Sequence, residues 1–96
     1  MGFVQIINFR TSDIDGLKKS GEEWEAATEG KRTVRRQIVA QDRNDPTRYA
    51  IIVFFDSYES AMENSQLPET QASAEKFAAL TDEVSFVDLD VIEDRS

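Results

Sequence analysis

Arg48-Tyr49-Ala50-Ile51-Ile52-Val53-Phe54-Phe55-Asp56 holds an unbroken apolar run, Ala50 to Phe55, between polar flanks. Successive strand residues point to opposite faces, so a strand with one wet face alternates apolar and polar residues. Here Ile51, Val53 and Phe55 fall on one face, and Ala50, Ile52 and Phe54 on the other. Both faces ask for cover. A buried helix is the competing reading. The run is short, rich in β-branched and aromatic residues, and ends in a helix-start signal, Asp56-Ser57. It reads as a strand, and what covers its second face decides the architecture.

Phe3-Val4-Gln5-Ile6-Ile7-Asn8-Phe9 is a second near-continuous apolar run and reads as the first strand. Phe3, Gln5, Ile7 and Phe9 share one side; Val4, Ile6 and Asn8 share the other. Asn8 is either a strand-end amide bonded to nearby backbone or a polar group reaching into a pocket. Thr11-Ser12-Asp13 supplies helix caps, and Asp13 and Asp15 favour the positive end of the helix dipole. Ile14, Leu17, Gly21, Trp24 and Thr28 then recur at spacings of three and four, the stripe of an amphipathic helix. Gly21 sits on that inner stripe, where Gly costs about 1 kcal/mol against Ala. Close approach to the sheet, or to a bound group, would account for it. Gly30 closes the helix. Trp24, the single Trp of the chain, is a core anchor or a pocket wall.

The span 34–41 alternates weakly and reads as a strand with one rather polar face. The turn-forming segment Asp42-Arg43-Asn44-Asp45-Pro46-Thr47 joins it to the 48–55 strand as an antiparallel hairpin. Beyond Asp56, Tyr58, Ala61 and Met62 form a short inner stripe, capped by Asp56 with Glu59 or by Ser57. Asn64-Ser65-Gln66-Leu67 interrupts it, and Pro68 can begin a second helical piece that carries Ala74, Phe77, Ala78 and Leu80 inward. The last strand, over 84–92, sets Ser85, Val87, Leu89 and Val91 against Phe86, Asp88 and Asp90. Its two carboxylates suit an edge strand guarded against stray pairing.

Composition bounds the function. The 96 residues include 40% hydrophobic residues and carry a formal net charge of −8, which fits one globular domain over 1–96 with a modest core. An acidic chain repels nucleic acid and anionic membrane surfaces, so neither is an expected partner. The exception is Lys31-Arg32-Thr33-Val34-Arg35-Arg36: a solvated turn entering a strand, or a site for an acidic ligand or a partner's carboxylates. With no Cys and no His, disulfides, thiolate or imidazole metal sites and a Ser-His-Asp arrangement are excluded. Acid–base work falls to carboxylates, Tyr, Lys or the substrate. No run reaches transmembrane length, and Met1-Gly2-Phe3-Val4-Gln5 lacks a signal peptide's basic start. Myristoylation at Gly2 is a competing thought, but the chain runs straight into a strand. A cytoplasmic protein is expected.

Strand, helix, strand, strand, helix, strand with right-handed crossovers gives an α+β, ferredoxin-like fold: a four-stranded antiparallel sheet with its helices on one face. The other face needs a lid, and a second copy of the sheet supplies one, so a homodimer is expected. The third strand with Phe55-Asp56-Ser57-Tyr58-Glu59-Ser60-Ala61-Met62-Glu63-Asn64-Ser65 and Leu67-Pro68-Glu69-Thr70 resembles the dimeric α+β barrel superfamily. Within it, the likeness is to the antibiotic biosynthesis monooxygenase (ABM) domain. The resemblance implies a pocket in each subunit between helices and sheet. It also implies cofactor-independent oxygenation, without metal or flavin, of a small aromatic or quinol-type ligand. Other relatives degrade haem with a first-strand Asn, a second-helix Trp and a His. Asn8 matches the first of these, the Trp position falls near Asn64, and the His is missing, so haem chemistry and a haem cofactor are not expected.

The resulting candidates are Tyr58, Asn8 and Arg36 for catalysis and Trp24, Gly21, Tyr49 and Asn64 for ligand binding. Tyr58 or Asn8 would orient or help deprotonate a phenol, and Arg36 would steady the anion. A non-catalytic dimer that binds a small ligand, or serves as an accessory module, is the alternative. A cavity lined by aromatics with converging polar groups favours the first reading.

Overall fold

The computed structural model describes residues 2–96; Met1, with its share of the leader and myristoylation readings, lies outside them. The elements are β1 (Phe3–Arg10), α1 (Ile14–Ala27), β2 (Arg36–Gln41), β3 (Arg48–Phe55), α2 (Tyr58–Ser65), α3 (Pro68–Leu80) and β4 (Asp82–Asp90). The sheet order is β2-β3-β1-β4, with every neighbouring pair antiparallel. This is the expected ferredoxin-like arrangement, with its second helix broken into α2 and α3 and with β4 at an edge. Among the described residues no helix is long and apolar enough to cross a membrane.

Register turns the two apolar runs into a surface with two distinct sides. β1 and β3 pair from Phe3 opposite Phe55 to Arg10 opposite Arg48. Directly opposed residues share a face. One side therefore carries three successive rows across all four strands: Arg36-Phe54-Val4-Leu89, Ile38-Ile52-Ile6-Val87 and Ala40-Ala50-Asn8-Ser85. On the other side, Phe3 meets Tyr58 of α2 edge-on at 5.4 Å, and Phe9 meets Phe77 of α3 edge-on at 5.1 Å. The helices thus occupy the Phe3-Gln5-Ile7-Phe9 side. The core is small: Phe3, Val53, Phe55 and Ala61 with Val34 and Ile51 packed on it, and Phe9 wholly buried further along.

Local chemistry sets the helix ends. Asp13 caps α1 by accepting from the Gly16 N–H at 2.9 Å. A Cβ at Gly16 would stand 2.3 Å from the Asp13 carboxylate, so this tight cap favours Gly there. α1 ends at Thr28, whose N–H and hydroxyl both donate to the Trp24 carbonyl. Gly30 then takes a φ of +80°, the left-handed conformation expected after a helix. Of the two cap readings for α2, Ser57 prevails, accepting from the Ser60 N–H at 3.1 Å. Asp56 is instead drawn away to Arg35, 2.8 Å from its Nε. Pro68 opens α3 as expected, since its missing N–H is one the first turn leaves unpaired anyway.

Two strands differ in their boundaries from the sequence reading. β2 begins at Arg36 rather than Val34, because Val34 packs against the buried cluster. β4 begins at Asp82 and ends at Asp90, leaving Ile92 87% exposed. Its start is shifted by a register irregularity opposite Asn8 and Arg10, where Glu83 adopts a φ of +51°. There Glu83 forms ion pairs with Arg10 and Arg48. The β4 carboxylates lie on the helix side: Asp88 stands opposite Gln5 and Asp90 opposite Phe3.

Candidate functional site

The seven candidate residues fall on both sides of the sheet. Asn8 and Arg36 belong to the helix-free side. Asn8 lies between Ala50 and Ser85 in a row of small residues. Arg36, exposed on edge strand β2, holds its guanidinium 5.9 Å from the centre of the Phe54 ring. Gly21, Trp24, Tyr49, Tyr58 and Asn64 belong to the helix side or its margins. A single-subunit constellation in which Arg36 steadies an anion generated beside Tyr58 is therefore corrected: the sheet itself separates the two. The cause is register, since even-numbered β1 residues and the β2 residues in the same rows across β3 face away from the helices.

Among the helix-side residues, two have structural duties. Asn64 is 7% exposed, and its carbonyl accepts from the Thr33 N–H at 3.3 Å, tying α2 to the approach of β2. The Tyr49 ring stacks on Phe9 at 5.8 Å, and its hydroxyl accepts from Gln41 Nε2 at 3.3 Å. Trp24 joins the helices, its indole N–H donating to the Thr70 hydroxyl at 2.9 Å with Arg32 over its ring. Of the two reasons expected for Gly21, close approach to the sheet does not hold. A Cβ built there meets nothing within 4 Å, so the position borders open space rather than a close approach to the sheet.

Tyr58 differs from these. It is 51% exposed at the first turn of α2, and its hydroxyl has no hydrogen-bond partner among the described residues. Its ring stands on Phe3 at the end of a strip on the helix side of β1 and β4: Phe3, Gln5, Asp88 and Phe86. Gln5 Nε2 donates to Asp88 Oδ1 at 3.0 Å, and Phe86, next along β4 on that side, is 61% exposed. α3 does not close over them. Phe77 points from α3 to Phe9, whereas Ala74 and Ala78, on the flank away from α1, remain in solvent.

Sequence reading found Gln5, Phe86 and Asp88 as strand residues and missed them as a group. Alternation assigns each to a face of its own strand, but only the pairing of β1 with β4 says that the two faces coincide.

The outer surface of the helical layer carries a further groove of about 240 Å³ between α1 and α3, floored by Trp24, Ala27 and Ala72. Ion pairs cross its rim: Lys31 to Glu69 at 2.7 Å and Lys76 to Glu23 at 3.1 Å. The Lys31 hydrogen bond holds the Glu69 carboxyl below its ordinary value. The basic run is thus largely spent inside the subunit. Lys31 pairs with Glu69, Arg32 donates to the Glu25 carbonyl, and Arg35 pairs with Asp56. Arg36 alone of the four stands on the helix-free face.

No family model and no curated protein sequence matches the chain. Solved structures do. SnoaB, a cofactor-independent oxygenase from Streptomyces nogalater, matches with a TM-score of 0.81 and 11% identity over 97% of this chain and 95% of its own. A Chloroflexus aurantiacus J-10-fl protein provisionally designated an antibiotic biosynthesis monooxygenase gives 0.78 and 20% identity over 100% of this chain and 98% of its own. Rv0793 from Mycobacterium tuberculosis gives 0.79 and 12% identity, with 100% of both chains covered. At these identities the likeness is one of fold, the ferredoxin-like α+β fold expected from the sequence.

Proposed function

We propose that the chain is a homodimeric, cofactor-independent monooxygenase-like protein acting on a small aromatic or quinol-type ligand at the helix-facing side of its sheet. The observation that carries this reading is Tyr58. A phenol hydroxyl without a hydrogen-bond partner among the described residues, on a half-exposed ring packed edge-on against Phe3, can bond a ligand. Molecular oxygen would be the oxidant. One oxygen atom becomes a carbonyl at an activated ring methylene, and the other leaves as water with that carbon's two hydrogens. Tyr58 orients the ligand hydroxyl, while Gly21 and Trp24 on α1 are kept as candidate ligand contacts. Asn8 and Arg36 are reassigned to the face on which the second subunit packs.

Oxygen uptake tests the proposal. With an anthrone as substrate, the protein should consume one equivalent of oxygen per equivalent of ketone formed, and Tyr58→Phe should slow this about 10²-fold. Turnover equal to the uncatalysed rate would overturn it. One observation favours the alternative, a domain that binds a ligand without transforming it: the candidate polar residues divide between two faces of one sheet. Saturable binding of the anthrone with no oxygen uptake would support that alternative.

A further inference from the structure

On the helix side of the β1–β4 pair, Gln5, Asp88 and Phe86 form an exposed strip that the roles proposed for Tyr58, Gly21 and Trp24 leave unused. Gln5 lies between Phe3 and Ile7 on the side the helices occupy, and Phe86 stands opposite Ile7. The bond from Gln5 Nε2 to Asp88 Oδ1 fixes the amide's orientation. With an N–H given to Asp88, Gln5 keeps its carbonyl oxygen, and Asp88 keeps its second carboxylate oxygen. Both are acceptors. Beside them lies an aromatic ring, 61% exposed and large enough to stack a ligand ring.

From this geometry we infer that Gln5, Asp88 and Phe86 form a specificity subsite for a neutral hydroxylated aromatic ring. Phe86 stacks the ring and the acceptor pair takes its hydroxyl proton donors. The inference rests on the aromatic-ligand reading above and names which aromatics the site admits. Charge decides the selection. Asp88 and Asp90 stand along this strip on β4, and their cross-strand neighbours are Gln5 and Phe3, neither of them a cation. An aromatic carboxylate would meet like charge from β4 with no cation opposite it among these described neighbours. A methyl ether would offer no donor, leaving the acceptors unpaired wherever the ring excludes water. The role is recognition rather than proton abstraction. The hydroxyl bound at Asp88 is one that stays protonated while reaction occurs elsewhere on the ligand.

Calorimetric titration with 1,5-dihydroxynaphthalene, 1,5-dimethoxynaphthalene and 1-naphthoate tests the subsite on the wild-type chain, Asp88→Asn and Phe86→Ala. The wild type should bind the diol at least about 10-fold more tightly than the diether, since a hydrogen bond to a charged group is at stake. It should bind the naphthoate more weakly still. Asp88→Asn should erase most of the diol's advantage and relax the exclusion of naphthoate. Phe86→Ala should weaken the diol and the diether alike. Both positions are solvent-exposed, and matching thermal melts would verify that the variants fold. Diol binding that is the same in all three proteins would overturn the subsite while leaving the aromatic-ligand reading in place. A wild type that binds the diol no better than the diether overturns the subsite as well. If the wild type binds none of the three and oxidises no anthrone, both fall together.

Discussion

Asp45 shows how one residue at a turn couples the fold to pH. Thr47 donates to it from both hydroxyl and backbone, and Arg10 donates from its Nη1 at 2.7 Å. These bonds, with the Thr47 contributions largest, lower its carboxyl from 3.8 to about 2. A folded-state value below the unfolded one means that the folded state holds its proton less tightly. The contribution to stability is complete above the unfolded value and disappears as pH falls from about 4 toward 2. Asp45→Asn should therefore melt lower than the wild type near neutral pH, with the two curves converging by about pH 2. A constant gap across that range would rule Asp45 out as the source. Asp56 and Glu69, also held low by their cations, add acid sensitivity common to both proteins and do not confuse the comparison. Phe55→Asp is a harsher change. Phe55 belongs to the buried cluster with Phe3 and Ala61, and an unpaired carboxylate there costs several kcal/mol, comparable with the stability of a domain this small. Loss of a cooperative melt is the expected outcome, and an unchanged melting temperature would contradict it.

At the level of elements, α1 carries a prediction that the sequence alone points the wrong way. An interior Gly on an inner stripe suggested crowding, but the space beside Gly21 is empty. Gly21→Ala should then stabilise the chain, by about 1 kcal/mol from helix propensity, which corresponds to a rise of roughly 4–8 °C in Tm. A drop in Tm would mean that the position is packed after all. Gly21→Leu should enter the same space and weaken any ligand reaching it. For α2, Ser57→Ala removes the hydroxyl that caps the helix and should cost about 1 kcal/mol, with Ser57→Asp restoring most of it. These elements were legible because their signals are local. The unbroken run in β3, the caps at Asp13 and Ser57, and Pro68 each act within a few residues. The site was legible only in part. Tyr58 could be singled out from its place at a helix start, but Asn8 and Arg36 look equally functional in sequence. Nothing local says that they share a face with each other and not with Tyr58. Nor can alternation within β1 or β4 reveal the Gln5–Asp88 bond, which joins residues 83 positions apart.

At the scale of the whole molecule, the proposed homodimer would form through the helix-free side of the sheet. Its central row, Ile38-Ile52-Ile6-Val87, is four β-branched aliphatic side chains long and crosses every strand. Val87 and Leu89 are 40% and 45% exposed on it. Its cations stand toward its margins, Arg36 beside Phe54 and the Arg10–Arg48–Glu83 cluster at the opposite end. A continuous apolar surface across a whole sheet exceeds what a monomer leaves exposed without a purpose. Packing it against a second copy would bury on the order of 2,000 Å² in total, as obligate homodimers do. The hydrophobic contribution scales with that area and not with ionic strength. Light scattering at micromolar concentration should therefore return twice the 10.9 kDa chain mass, at low and moderate salt alike. Ile52 provides the decisive substitution, because Ile6 and Ile38 flank it directly and the helices lie behind it. Ile52→Glu would set two carboxylates into the apolar centre of the interface while leaving the Phe3–Val53–Phe55 cluster on the other side of the strand intact. The expected result is a folded chain of single mass, less stable than the wild type because its open face has lost its cover. A wild type of single mass would remove the dimer from the proposed function, and an Ile52→Glu variant that still doubles in mass would place the contact on another surface.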